Sequence, residues 1–300
     1  MAISYNPMPV AATTFSSNTT TGGSVPASFD AFLYQPTSDS FLAPMKLTIA
    51  IRMKLRQSKS VPFILDADDK LFWTLPWPAV DWGRFVAAAQ AQANMWNGQF
   101  WLVSPPSFSE YNKKVISMPK EWRPNVVCEL SVDFAPSGDA HRTIDVAYLN
   151  LAMLTGQSLD SLTFRSHSLL YDSLDTIPHV DPVPQPGEPQ THHTIAHEIG
   201  HTIGLDHIGV MRRLPLCEFA IASANAGMDV YWKIKGGTNS HFCYGSEQGI
   251  NNSGNIMGAG DDFSVENATP WLWAMGMLRP AGEIMGWRAV TSDPGAGTWT

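Results

Sequence analysis

Basic side chains are scarce in this chain and nowhere clustered. Lys and Arg together number 19 in 300 residues, and the net charge is −8. Neutralising a phosphate backbone or an anionic lipid surface needs a basic face, so neither nucleic acid nor such a membrane is an expected partner. No apolar run approaches the roughly 18 residues that a membrane-spanning helix needs, so no membrane insertion is expected. The first residues, MAISYNPMPV, lack a charged start followed by an apolar stretch, so they do not read as an ordinary secretory signal. That leaves a cytosolic location and export without a cleaved signal both open. Cysteine is almost absent. Three residues, Cys128, Cys217 and Cys243, are too few and odd in number for a disulfide framework. Cys128 lies in an alternating strand pattern and reads as a buried apolar side chain. Cys217 and Cys243 bracket one segment and could pair, which spacing alone does not decide.

Apolar residues are plentiful, at 44%. That suffices for a large core in one domain or two small ones. Residues 1–28 are rich in Ser, Thr, Ala and Gly and read as a flexible arm, with order beginning near Phe29. Residues 45–56 alternate, placing Leu47, Ile49, Ile51, Met53 and Leu55 on one face of a long strand. Residues 79–97 read as a helix capped by Asp81, with Trp82, Phe85, Val86, Ala89, Ala93 and Trp96 at helical spacing. Strands are expected at 99–103, 126–134 and 144–151, with a weaker run around 168–174. The acidic run 66–69 lacks the glycine and distant glutamate of a calcium loop and reads as a plain turn. Residues 177–190 carry five prolines, which suits an extended surface loop.

The chemistry concentrates in HEIGHTIGLDH, residues 197–207. His197 and His201 are four apart, so on a helix their imidazoles stack on one face and can grip one ion. Glu198 lies beside them. Gly204 is the natural helix stop, because glycine enters the left-handed turn without steric penalty. The chain can then swing back so that His207 supplies a third ligand. Three neutral nitrogens leave a fourth tetrahedral position for water, the pattern of a catalytic zinc rather than a structural one. The bland alternative is a surface helix with incidental histidines. A silent metal site is a second alternative, against which the intact Glu198 argues.

This motif resembles the extended zinc signature of the metzincin clan of metalloendopeptidases. Asn-Ile-Met-Gly at 255–258 fits the clan's methionine-containing turn, and Met257 would be its methionine. The resemblance implies an α+β fold with a twisted, mostly parallel mixed sheet and two long helices in the N-terminal part. A zinc helix, a Met-turn and a C-terminal helix complete it. In outline it makes residues 29–300 one catalytic domain, with an upper part to about 204 and a lower part holding an insertion over 208–254. It also implies one zinc ion on His197, His201 and His207, with Met257 and Gly204 supporting the metal site. Glu198 would act as the base that activates water for hydrolysis of a protein or peptide substrate. Gly209 and Ala259 stand where named branches of the clan carry other residues, so the resemblance is to the clan alone.

Other candidates are weaker. Tyr231, His241 and Tyr244 could stabilise an oxyanion, though no spacing rule supports them. His193 reads as a histidine in the first helical turn rather than a ligand. Asp206 suits a role in orienting a ligand and a role in the turn equally. The segment beginning Thr269-Pro270 reads as a helix start whose tryptophans belong to the core, and the residues from about 291 look loose. The leading expectation is an endopeptidase, with an exported effector or toxin as its candidate role. The competing ones are a particle-associated or structural protein with a self-processing or non-catalytic zinc site, and a zinc deacylase.

Overall fold

The alternating run at 45–56 becomes the central strand of the molecule. The computed structural model describes residues 3–20, 26–40, 42–58, 63–65, 71–106, 109–114, 118–150, 169–180, 191–205, 254–258, 260–278 and 286–300. Strands β1 (Ala11–Thr20) and β2 (Pro26–Tyr34) lead antiparallel into β3 (Met45–Gln57). A short hairpin of β4 (Phe63–Leu65) and β5 (Leu71–Trp73) precedes helix α1 (Ala79–Ala93). Next come β6 (Trp101–Val103), β7 (Lys113–Lys114), β8 (Glu121–Pro124), β9 (Val126–Asp133), β10 (Arg142–Ala147) and β11 (Leu170–Asp172). Two-residue strands β12 (His179–Val180) and β13 (Thr191–His192) pair antiparallel just before helix α2 (Thr194–Thr202). Helix α3 (Thr269–Met277), β14 (Arg288–Val290) and β15 (Gly297–Trp299) follow.

Eight of these strands form one mixed sheet, and helices are few. β3 pairs in parallel with β9 and β10, and β10 with β11. β3 serves β2 along 46–50 and β10 along 53–57, so the sheet forks there. Every other pairing in this sheet is antiparallel: β1 with β2, β2 with β3, β6 with β9, and β14 with β6. The expected mostly parallel sheet is therefore limited to four strands. A meander at the N-terminus and short strands late in the chain supply the antiparallel remainder. Of the two long helices expected in the N-terminal part, the described residues before α2 contain one, α1 with 15 residues, and α2 itself has nine.

Packing follows the alternation. Leu47, Ile49, Ile51 and Met53 of β3 and Cys128 of β9 are buried in the main cluster, with Leu130 and Val132 beside them. Each such side chain removed from water contributes about 1.5–3 kcal/mol. Phe85, Ala89, Ala93 and Trp96 put one face of α1 and its 3-10 extension into the same cluster. Asp81 does not cap α1. Extended Pro78 occupies the N-cap, which puts Asp81 inside the first turn. There it accepts the Tyr148 hydroxyl at 3.1 Å and faces Arg84 at 3.5 Å.

Two further expectations need correction. Residues 1–28 are not simply a flexible arm, because Ala11–Thr20 forms β1. Its few apolar groups suffice: Phe15 stacks on Phe29 with centroids 4.8 Å apart and on Trp273 of α3 at 5.5 Å. Thr14 adds a hydrogen bond to Asp30 at 2.8 Å. The C-terminal residues are not loose either, because β15 pairs with β8 and Trp299 packs against Trp122 at 5.2 Å. Deleting residues 1–20 should lower unfolding free energy by about 2–4 kcal/mol, from two lost aromatic contacts and a lost strand. Urea unfolding checks this, and an unchanged midpoint would show that β1 adds nothing.

Candidate metal centre

Helix α2 is short because its sequence stops it. Gly204 adopts φ +98°, and two hydrogen bonds close the turn: Leu205 N–H to the Gly200 carbonyl and Gly204 N–H to the His201 carbonyl, both at 3.0 Å. This is the Schellman arrangement, which satisfies carbonyls left over at a helix end. A β-carbon on Gly204 would lie 2.9 Å from Ala27 Cβ and from the Trp273 ring, so space and backbone angle both select glycine.

The turn aims the Leu205 carbonyl back at the helix, where it meets His201 Nδ1 at 2.7 Å. His197 Nδ1 meets the Ile256 carbonyl at the same distance. A carbonyl only accepts, so both Nδ1 atoms carry the proton and donate. With Nδ1 protonated, a neutral ring leaves Nε2 as its acceptor nitrogen, and the two Nε2 atoms face each other 3.1 Å apart. Two acceptors at that distance repel unless a cation or a shared proton lies between them. Burial drives the His201 pKa down to about 4, partly opposed by its bond to Leu205, so at neutral pH the ring carries no extra proton. Two zinc–nitrogen bonds at a tetrahedral angle would separate the nitrogens by about 3.3 Å. The observed pair fits a metal ion by tautomer and separation.

Residues 255–258 form a tight turn beneath α2, with Gly258 N–H bonded to the Asn255 carbonyl at 2.7 Å. Met257 is fully buried against Gly200, where a β-carbon would collide with the Met257 sulfur. Only a residue without a side chain lets the sulfur reach the helix between the two histidines. Asn255 and Asn267 hold the turn by a reciprocal amide pair at 3.0 and 3.1 Å. Asn255 Oδ1 also accepts Met257 N–H at 2.9 Å. Neither Asn267 nor Gln92 stands among the expected site residues. Asn267 lies three residues after Ser264 in a capping box, and Gln92 is a polar residue on the buried face of α1, so each carries a signal legible in the sequence.

Glu198 is buried on α2, as expected for a residue beside His197. Tyr171 of β11 lies near it: burial raises the tyrosine pKa well above the usual value, with the Glu198 and Asp175 charges adding to the shift. His193 is the N-cap of α2 with an extended backbone rather than part of its first turn, and Nδ1 lies 3.6 Å from Asp261, beyond hydrogen-bond reach. The His192 ring lies 5.2 Å from that of His197.

His207 lies outside the described residues, as do Asp206, Cys217, Tyr231, His241, Tyr244 and Cys243. Most of the proline-rich loop is outside them too, although β12 and β13 join the flanks of residues 181–190. Among the described residues no three His, Cys, Asp or Glu side chains converge, so the structure brings together His197 and His201 and not a complete ligand set. Comparison with family models, characterised proteins and solved structures finds no significant match to this chain.

Proposed function

We propose that this protein is a zinc metalloendopeptidase of metzincin type. The observation that carries the reading is the pair of imidazoles whose Nε2 atoms face each other at 3.1 Å while both Nδ1 atoms are tied to backbone carbonyls. Such carbonyl partners fix ring orientation and tautomer in metal-binding histidines. His197 and His201 would hold the ion with His207, which follows Leu205 by two residues in sequence. Support comes also from Met257 packed under the ligand helix, and from the order of elements: strand, helix through Trp96, strands, ligand helix, methionine turn, C-terminal helix.

When bound, zinc supplies a Lewis acid that polarises the scissile carbonyl and makes a nearby water acidic. The chain does the rest. Glu198 takes the water's proton and returns it to the leaving amine. Among the described residues β11 has one strand neighbour, β10, so its other edge is suited to an extended peptide added by main-chain hydrogen bonds. Loop 177–190 and insertion 208–254 lie largely outside the described residues.

The test is elemental analysis of protein purified without chelators, with hydrolysis of unfolded casein measured before and after chelation. One zinc per chain is expected, with chelator-sensitive cleavage restored by zinc. His201→Ala should lose the ion. Protein that takes up no zinc would end this reading.

A further inference from the structure

Helix α2 lacks a local cap. His193 occupies the N-cap and offers no side-chain hydrogen bond to the first turn. The first N–H groups of any helix have no partner inside it, and leaving them buried and unpaired is costly. Ile195 and Ala196 are both fully buried, so water cannot serve them.

The partner comes from another helix. Gln92 lies on the buried face of α1 and is only 5% exposed. Its Oε1 accepts the N–H groups of Ile195 at 3.0 Å and Ala196 at 3.3 Å. Its Nε2 donates to the carbonyl of Asp175, in the turn after β11, at 3.0 Å. One turn further along, the Trp96 indole donates to the Ala196 carbonyl at 3.1 Å. One amide thus joins α1, the exit from β11 and the start of α2. These bonds end one residue before His197 and two before Glu198.

We infer that Gln92 is a positioning residue for the metal centre: it caps α2 from outside and sets the depth and rotation at which His197, Glu198 and His201 meet the 255–258 turn. The inference rests on the zinc reading for its functional consequence, though the cap itself does not. His197 needs its Nδ1 at 2.7 Å from the Ile256 carbonyl, which belongs to a different part of the chain. A helix free to rotate or slide would lose that bond, and with it the ring orientation. The Gln92 amide has no freedom to flip, because two donors point at its oxygen and one carbonyl faces its nitrogen.

Three full-length variants test this. Gln92→Leu removes both functions of the amide. Gln92→Glu keeps an acceptor for the two N–H groups, where the helix dipole favours negative charge. Gln92→Ser leaves room for water to replace the oxygen in part. Hydrogen exchange at the Ile195 and Ala196 amides is followed in metal-free protein, with β3 amides as the control for global folding. The zinc dissociation constant is measured by chelator competition, and kcat and KM on a peptide substrate at saturating zinc.

Gln92→Leu should weaken zinc by about 10–100-fold, the range for loss of a group that orients metal ligands. It should also speed exchange at 195 and 196 while β3 stays protected, and lower kcat with little change in KM. Gln92→Glu should keep zinc affinity and exchange close to the parent, and Gln92→Ser should fall between. A folded Gln92→Leu with parental zinc affinity overturns the inference, and so does Gln92→Glu failing as badly as leucine. If Gln92→Leu does not fold, parental affinity and exchange in Gln92→Ser overturn it instead. A parent chain that binds no zinc overturns the zinc reading and the positioning role together. Exchange at 195 and 196 then tells whether the cap alone stands.

Discussion

Replacing Glu198 with glutamine should leave fold and zinc content intact and slow peptide hydrolysis by about 10²–10⁴-fold, the usual contribution of a general acid–base group. Glutamine has nearly the same shape, so the buried site on α2 need not repack. The Thr202 hydroxyl bonds the backbone carbonyl of residue 198, which the substitution does not touch. In the proposed site imidazoles would hold the metal, so removing the carboxylate would remove a proton carrier and not a ligand. The measurement is kcat at saturating substrate, paired with elemental analysis of the same preparation. Parental turnover would take Glu198 out of the mechanism. Lost zinc would recast it as a ligand.

Gly204→Ala should be strongly destabilising, because the added methyl meets both a strained backbone angle and a filled space. A non-glycine residue in the left-handed region costs roughly 1–2 kcal/mol. Overpacking the Ala27 and Trp273 contacts, both at 2.9 Å, adds about 1–3 kcal/mol. If the turn opens to relieve the clash, the Leu205 carbonyl leaves His201 and the imidazole loses its orientation. Unfolding free energy should therefore drop by about 2–5 kcal/mol and zinc affinity should drop with it. Denaturant unfolding and chelator competition read the two effects separately. A variant as stable as the parent would mean that the turn readily adopts another geometry.

Legibility in the sequence tracked how local the cause was. The β3 alternation, the helical spacing of α1 and the glycine stop after α2 are each written within a few residues, and each appears in the structure. His197 and His201 converge because residues four apart must do so on a helix. Their second nitrogens were not legible, because the partner of His197 is the carbonyl of Ile256, a group common to every residue. Gln92 reaches α2 across a similarly long separation, whereas Asn267 acts over 12 residues on Asn255. β1 was missed because a Ser/Thr-rich strand with one Phe resembles a tail until Phe29 and Trp273 are placed beside it. Asp81 was misassigned as a cap by a pattern that ignored Pro78. His207 and the insertion 208–254 remain expectations of sequence.

The anchoring of residues 206–253 at both ends has a consequence for how this chain can change. At one end Leu205 is fastened by its N–H to Gly200 and by its carbonyl to His201. At the other the Gly254 carbonyl accepts the N–H of Asp262 at 2.8 Å, and Gly260 approaches too closely for any side chain. A flexible connection between two such pinned ends would pay only logarithmically for its length, about 0.6 kcal/mol per doubling. Changes of length away from both ends should then leave the carbonyl partners of His197 and His201, at Ile256 and Leu205, where they are.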